Sequence, residues 1–400
     1  MNTKSYLVHA KRTPIGKLGG KLSHVRPDDL LAELIKDFTK TFDFDFTKID
    51  DVIVGCANQA GEDNRNIARM SSILGGLPYE VPGTTINRLC GSSLDALLIA
   101  HAKIQANMGQ AFLIGGVESM TRSPYVISKS TGPFGRDSKL YDSTFGWRFE
   151  NPKMKEMFPL YGMGQTAEEV ASLHNISRVD QDEFAIASHK KSINAIQSGK
   201  FKDEILAIEV KHKKLNYIMD QDEGPRDDTN LEKLSKLKPV FKKGGSVTAG
   251  NSSMMNDGAA LLFLVNEQFL KDHNLTPILE FSHGTVAGLH PNVMGLGPIE
   301  ATKKLLSQSK EKISEYDLVE LNEAFAVQSL ACIRELGIDP NIVNLNGGAI
   351  SLGHPLGCSG ARIVTTLFHL MKNDQKLKNG LATMCIGVGQ GIAASFRNCI

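Results

Sequence analysis

An internal duplication constrains this chain more than any other feature. Asp51-Val52-Ile53-Val54 reads as a short buried strand and has a counterpart in Asp317-Leu318-Val319-Glu320. The same offset lays Gly91-Ser92-Ser93 over Gly357-Cys358-Ser359. Apolar segments read as helices, 94–104 and 362–371, follow in step, and the strand Phe112-Leu113-Ile114-Gly115 finds a partner in Met384-Cys385-Ile386-Gly387. Matches in one order predict a duplicated α/β unit, with related loops gathered around a pseudo-two-fold axis. Continuous apolar strands such as Ala111-Phe112-Leu113-Ile114-Gly115-Gly116 predict a parallel sheet covered on both faces.

Between the repeats the composition changes. From 122 to about 249 the chain is richer in Lys, Asp, Pro and single aromatics and holds the only tryptophan, Trp147. Helical patterns are expected over 165–173 and 180–198, and lysines with Arg226 concentrate between 200 and 243. The stretch reads either as a solvated insertion or as a lid that receives a polyanionic ligand. Earlier, Asp28 or Asp29 is expected to cap a helix over 30–38, a second helix is expected over 66–74, and the alternating aromatic and acidic residues of 41–46 are ambiguous.

Charge and cysteine usage exclude several classes. The 45 basic and 44 acidic residues nearly cancel, so no global grip on nucleic acid is indicated. The six cysteines form no CxxC pair, which argues against zinc and a disulfide framework; no metal is expected. No apolar run approaches a membrane span, and a strand begins at Ser5, leaving no room for a targeting peptide. A reducing, cytoplasmic setting is the expectation.

The chemistry-bearing stretch is Asn87-Arg88-Leu89-Cys90-Gly91-Ser92-Ser93, where an extended run gives way to a helix. A helix start favours the thiolate, the nucleophilic form of cysteine, although a lone cysteine is more often simply core. Three further stretches lie in the second repeat: Asn322-Glu323-Ala324-Phe325, the run from Gly347 to Gly357 containing Gly353-His354-Pro355, and Cys385-Ile386-Gly387-Val388-Gly389. Singly, each has a structural explanation as a cap, a loop or a tight turn.

Together and in this order, these motifs resemble the thiolase family along nearly the whole chain, with Met163-Gly164-Gln165-Thr166-Ala167-Glu168 and Ala249-Gly250-Asn251-Ser252-Ser253 similar to its loop motifs. The resemblance implies an α/β fold of duplicated βαβαβαββ halves in a five-layer α-β-α-β-α arrangement. It implies an N-terminal half over 1–121 plus about 254–275, an inserted coenzyme A-binding loop domain over 122–253, and a C-terminal half over 276–400. The implied chemistry is thiolysis of a 3-ketoacyl-CoA or its Claisen reverse, with coenzyme A as co-substrate and no permanently bound cofactor. Acyl-CoA and CoA are the implied small-molecule partners, in a homodimer or homotetramer, with β-oxidation enzymes as protein partners.

By that resemblance Cys90 is the nucleophile and His354 takes its proton, a pair expected to depress the thiol pKa. Cys385 is the acid/base cysteine. Asn322 holds a water that forms one oxyanion hole with His354, and the backbone N–H groups of Cys90 and Gly387 form the other. Glu323 is an orienting or structural carboxylate. Arg226, Ala249, Ser253, Ala324 and Phe325 would contact coenzyme A, and Met163 and Met294 the acyl side. Ser93, Met254-Met255 and Gly162 depart from common family residues, which bears on acyl-chain preference. The run from Gly55 to Asn66 resembles the degradative branch. Fatty-acid β-oxidation is therefore the first expectation, acetoacetyl-CoA thiolysis the second and 3-oxoadipyl-CoA thiolysis the third. A ketoacyl synthase would not need Cys385, and an inactive CoA- or lipid-binding module would lack a catalytic residue.

Overall fold

Alternate residues of the strand Ala111–Ser119 face two different cores. Phe112 and Ile114 point into one, Ala111, Leu113 and Val117 into the other. A strand buried on both faces needs helices on both sides, and the period of two decides which side chain meets which layer. Residues 3–213 and 215–400 are described by this computed structural model.

The strands are β1 (Ser5–Arg12), β2 (Gly16–Lys17), β3 (Asp51–Gly55), β4 (Gly83–Ile86), β5 (Ala111–Ser119), β6 (Tyr125–Ile127), β7 (Leu140–Asp142), β8 (Ile208–His212), β9 (Leu215–Met219), β10 (Asn256–Asn266), β11 (Leu279–Gly288), β12 (Leu318–Leu321), β13 (Asn379–Ile386) and β14 (Gln390–Asn398). One large sheet runs β12-β13-β14-β11-β1-β10-β5-β3-β4, with β2 on β10, while β6-β7 and β8-β9 are separate hairpins. The sheet has two similar wings joined at β1, which pairs along most of its length with β10 but with β11 only through Ser5, Tyr6 and Leu7. In one wing β3 lies parallel to β4 and β5; in the other β12 lies parallel to β13. The counterpart of β4 has shrunk to a single bridge between Val319 and Val343.

Five layers result, as the family resemblance implies. The helices Ser92–Gln105 and Ser359–Asn373 lie between the wings, contributing Leu94, Leu97, Val364 and Leu367 to a core shared with Ile114 and Met384. Outside one wing, Leu30, Leu34 and Phe38 of the helix Pro27–Thr41 cover Val52 and Leu113. Outside the other, Ile299 and Leu305 of Gly297–Ser309 cover Val319 and Leu381.

The first helix starts at Pro27, not after an aspartate cap. Proline suits the first helical turn because its missing N–H would have no partner there. Asp28 and Asp29 instead occupy that turn, and the Asp28 carboxylate pairs with Arg26. The ambiguous 41–46 stretch folds as an aromatic knot: Phe42, Phe44 and Phe46 pack on Phe38, and Phe42 and Phe44 also reach Phe263.

The two middle helices meet at their starts. Ser93 Oγ accepts a hydrogen bond from Ala361 N at 2.8 Å, so this residue joins the repeats and lines no acyl pocket. A Cβ on Gly116 would lie 2.6 Å from both Gly357 O and Ser93 Cβ; one on Gly360 would lie 2.4 Å from Leu94 N. Gly116→Ala is therefore expected to destabilise the protein by about 1–3 kcal/mol through overpacking, read as a lower thermal midpoint. An unchanged midpoint would show that the junction yields.

Candidate active site

The turn carrying Cys90 is held by its own polar groups. Asn87 Oδ1 accepts from Leu89 N at 2.8 Å, and Asn87 Nδ2 donates to Ala57 O at 2.8 Å. Ser92 Oγ accepts from Arg88 N at 2.9 Å and donates to Leu89 O at 2.6 Å. These bonds hold Leu89 at a φ of 49°, a left-handed conformation that costs a non-glycine residue about 1–3 kcal/mol and recurs at functional sites. The thiol follows directly, one residue before the helix N-cap, Gly91.

His354 comes from a loop braced against β10. Its backbone N–H donates to Asn256 Oδ1 at 3.0 Å, and Asn256 Nδ2 donates to Gly16 O at 2.8 Å. Gly353 has a φ of 116°, and a Cβ there would lie 2.5 Å from the Asn256 side chain, so both conformation and contact demand glycine. The ring is oriented by Ser359. Its hydroxyl donates to Pro355 O at 2.9 Å, which leaves Oγ to accept from Nδ1–H at 2.6 Å. Nε2 then remains the unprotonated, basic nitrogen. Asn322 Nδ2 stands 3.5 Å from both ring nitrogens, and its Oδ1 faces Arg362 Nη2 at 3.4 Å.

Burial dominates the electrostatics. Desolvation pushes the Cys90 thiol up to about 11, outweighing the backbone N–H groups of Gly387 and Cys90, which pull it down. Desolvation drives His354 down to about 3, with the positive Arg362 adding to the effect. Burial also raises Cys385 well above the ordinary thiol range. The resting site is therefore two thiols and a neutral imidazole. The expected depression of the Cys90 pKa is not what the structure supports: removing the sulfur from water outweighs the helix start, and His354, itself uncharged, contributes no compensating positive charge.

Two cavities meet here. One, of about 560 Å³, is lined by Cys90, His354 and Cys385 together with Ala249, Ser253, Ala324, Phe325, Met163 and Met294. The other, of about 340 Å³, is lined by Cys90, Gly387 and Met163 together with Asn58, Glu118, Trp147 and Arg148. Met163 thus stands at the junction, whereas Met294 lines only the cavity containing Cys385. Arg226 lines neither and is exposed; its backbone N–H donates to His189 Nδ1 at 3.2 Å. Glu323 is buried and accepts from Ser188, Asn344 and Ile350, in a structural role. Ser359, Asn256, Arg362 and Arg148 escaped the sequence reading. Ser359, five residues after His354 inside the repeated Gly-Cys-Ser, carried a local signal; Asn256 and Arg148 carried none.

The family models for the thiolase N-terminal domain and the thiolase C-terminal domain match residues 5–268 and 275–398. This chain belongs to the thiolase family. It is an acyltransferase, 48% identical over 396 residues to the β-ketoadipyl-CoA thiolase of Pseudomonas aeruginosa, covering 98% of each chain. It is also 48% identical over 394 residues to the 3-oxoadipyl-CoA/3-oxo-5,6-dehydrosuberyl-CoA thiolase of Escherichia coli K12, again covering 98% of each. The crystal structure of human mitochondrial 3-ketoacyl-CoA thiolase superposes on this thiolase with a TM-score of 0.92 at 38% identity, covering 100% of this chain and 99% of that one. Among the described residues, no helix is long and apolar enough to cross a membrane.

Two outcomes test the site. Ser359→Ala should lower kcat on the order of 10²-fold by releasing the His354 tautomer, with little change in KM; an unchanged kcat would remove Ser359 from the catalytic apparatus. The Cys90 shift is upward, so the protonated thiol dominates below about pH 11. Alkylation of Cys90 in the free enzyme should climb steadily from pH 7 to pH 10 as thiolate forms. A rate already at plateau by pH 7 would place the pKa below neutrality.

Proposed function

We propose that this thiolase cleaves 3-oxoadipyl-CoA, using coenzyme A to give acetyl-CoA and a shortened acyl-CoA. What supports thiolysis is the convergence of Cys90, His354 and Cys385, from both repeats, on one cavity. What supports the substrate is full-length similarity to β-ketoadipyl-CoA thiolases, which displaces fatty-acid β-oxidation as the leading reading.

In the proposed mechanism His354 Nε2 takes the Cys90 proton as sulfur adds to the keto carbon. The resulting oxyanion is received by the N–H groups of Cys90 and Gly387, the two donors that already act on the sulfur. Collapse of the intermediate breaks the carbon–carbon bond. The electron pair passes to the acetyl-CoA enolate, whose thioester oxygen is held by His354 and an Asn322-bound water. The Cys385 thiol protonates the enolate carbon; its raised pKa keeps that proton available at neutral pH. The Cys385 thiolate so formed deprotonates incoming coenzyme A, whose sulfur attacks the acyl-enzyme, and Cys90 leaves with the proton returned from His354. A neutral resting site suits this sequence, since each charge appears only when a donor or acceptor is already in place.

The pantetheine arm is assigned to the larger cavity, past Ala249, Ser253, Ala324 and Phe325, with residues 122–253 forming the coenzyme A-binding insertion and Arg226 at the exposed nucleotide end. Cys90→Ser should abolish the acyl-enzyme seen by mass spectrometry, and Cys385→Ala should block enolate exchange more than acylation; equal, mild losses in both steps would reject the acid/base role. A kinetic series of 3-ketoacyl-CoAs from four carbons upward should place 3-oxoadipyl-CoA highest in kcat/KM. A straight-chain substrate surpassing it would overturn the substrate assignment.

A further inference from the structure

The smaller cavity is mostly apolar in its walls: Leu89, Met120, Met163, Leu356 and Trp147 line it alongside Cys90. Arg148 is the one cation on that lining. Its guanidinium donates to Ser143 O at 3.2 Å and lies 3.5 Å from Asn58 O. Both acceptors are carbonyl oxygens, and among the described residues no carboxylate lies within ion-pair distance of it. The neighbouring arginines differ: Arg122 pairs with Glu62, and Arg88 with Asp95. A guanidinium carries five N–H donors, so two carbonyl contacts leave most of the fork available.

The fork is held in place. Asn58 Nδ2 donates to Ser123 Oγ at 2.6 Å and to Ser143 O at 3.0 Å, tying the base of the β6-β7 hairpin to the loop after β3. Ser143 Oγ donates to Pro124 O at 2.6 Å, and Trp147 Nε1 donates to Tyr161 O at 3.0 Å. Arg148 therefore projects from a braced segment. The one acid on the same lining, Glu118, is occupied: it accepts from Ala57 N, Asn58 N and Gly357 N at 2.8–3.1 Å.

We infer that Arg148 recognises a carboxylate at the far end of the substrate's acyl chain and sets this thiolase's selectivity for dicarboxylic over simple 3-ketoacyl-CoAs. The inference rests on the thiolysis reading above: with coenzyme A in the larger cavity, the smaller one, which also opens on Cys90, is left for the acyl group. A carboxylate entering a mostly apolar cavity loses hydration and binds well only against a fixed, paired donor, and a guanidinium fork is the group suited to take it with two parallel hydrogen bonds. An arginine without a carboxylate partner, braced by carbonyls beside the nucleophile, supplies that donor. Lysine in its place would supply a point charge without the fork, so Arg148→Lys should recover only part of the effect.

The test compares two six-carbon substrates that differ only at the distal end, 3-oxoadipyl-CoA and 3-ketohexanoyl-CoA. Arg148→Gln should lower the ratio of their kcat/KM values on the order of 10²-fold, mainly through KM for the dicarboxylic substrate, and Arg148→Lys should lower it less. A ratio untouched by Arg148→Gln in an enzyme that prefers 3-oxoadipyl-CoA would overturn the role of Arg148 and leave the substrate assignment standing. A wild-type enzyme that turns over both equally would overturn both. Should Arg148→Gln fail to fold, Arg148→Lys carries the same comparison, and a ratio equal to wild type together with an unchanged KM for 3-oxoadipyl-CoA rejects the fork geometry.

Discussion

The two middle helices begin against each other at a junction too close for side chains. Gly360 of one lies so near Leu94 of the other that a Cβ would stand 2.4 Å from a backbone nitrogen, and a Cβ on Gly116 would stand 2.6 Å from Gly357 O and Ser93 Cβ. That junction places two of the site's side chains. The turn bearing Cys90 immediately precedes one helix and the loop bearing His354 precedes the other, so pressing the helix starts together brings Cys90 and His354 to one cavity. Only glycine permits the approach, because any side chain would separate the wings of the sheet and the two halves of the site with them.

The same closeness sets the chemistry. Packing two wings and two helices around a pair of thiols excludes water, and the loss of hydration raises both sulfurs and lowers the imidazole. The two thiols and the imidazole carry no charge at rest. In the proposed mechanism the polar groups act on charges that form later: N–H groups of Cys90 and Gly387 on the oxyanion, and an Nε2 left unprotonated by Ser359 on the proton. The turns that present these groups carry backbone strain, with Leu89 and Val388 both at positive φ, 49° and 62°. A β-branched residue in that region is an uncommon expense, tolerated beside Gly387 because the loop must turn its N–H inward.

Much of the architecture was legible because it depends on local pattern. Strands such as Asp51–Gly55 and Ala111–Ser119 read as continuous apolar runs since both faces are covered, and the repeat was visible because the two halves meet similar environments. The helix boundary at Pro27 was misplaced by the attraction of two aspartates, which serve in the first turn rather than as a cap. The helix start and the pairing with His354 suggest a depressed Cys90 pKa, whereas the deciding influence is burial by the folded chain, which pushes it up.

By itself, the sequence determined the duplicated α/β unit, the strand-to-helix turn at Cys90 and the motifs that supply His354, Asn322 and Cys385, since each lies in a short run whose residue types encode its geometry. The tertiary structure alone decided what those groups are before substrate arrives, which nitrogen of His354 is basic, and that Arg148 faces the cavity at Cys90. Those properties depend on neighbours far away in the chain, among them Asn256 for the His354 loop and Asn58 for Arg148, and burial and pairing across such distances have no local signature in a sequence.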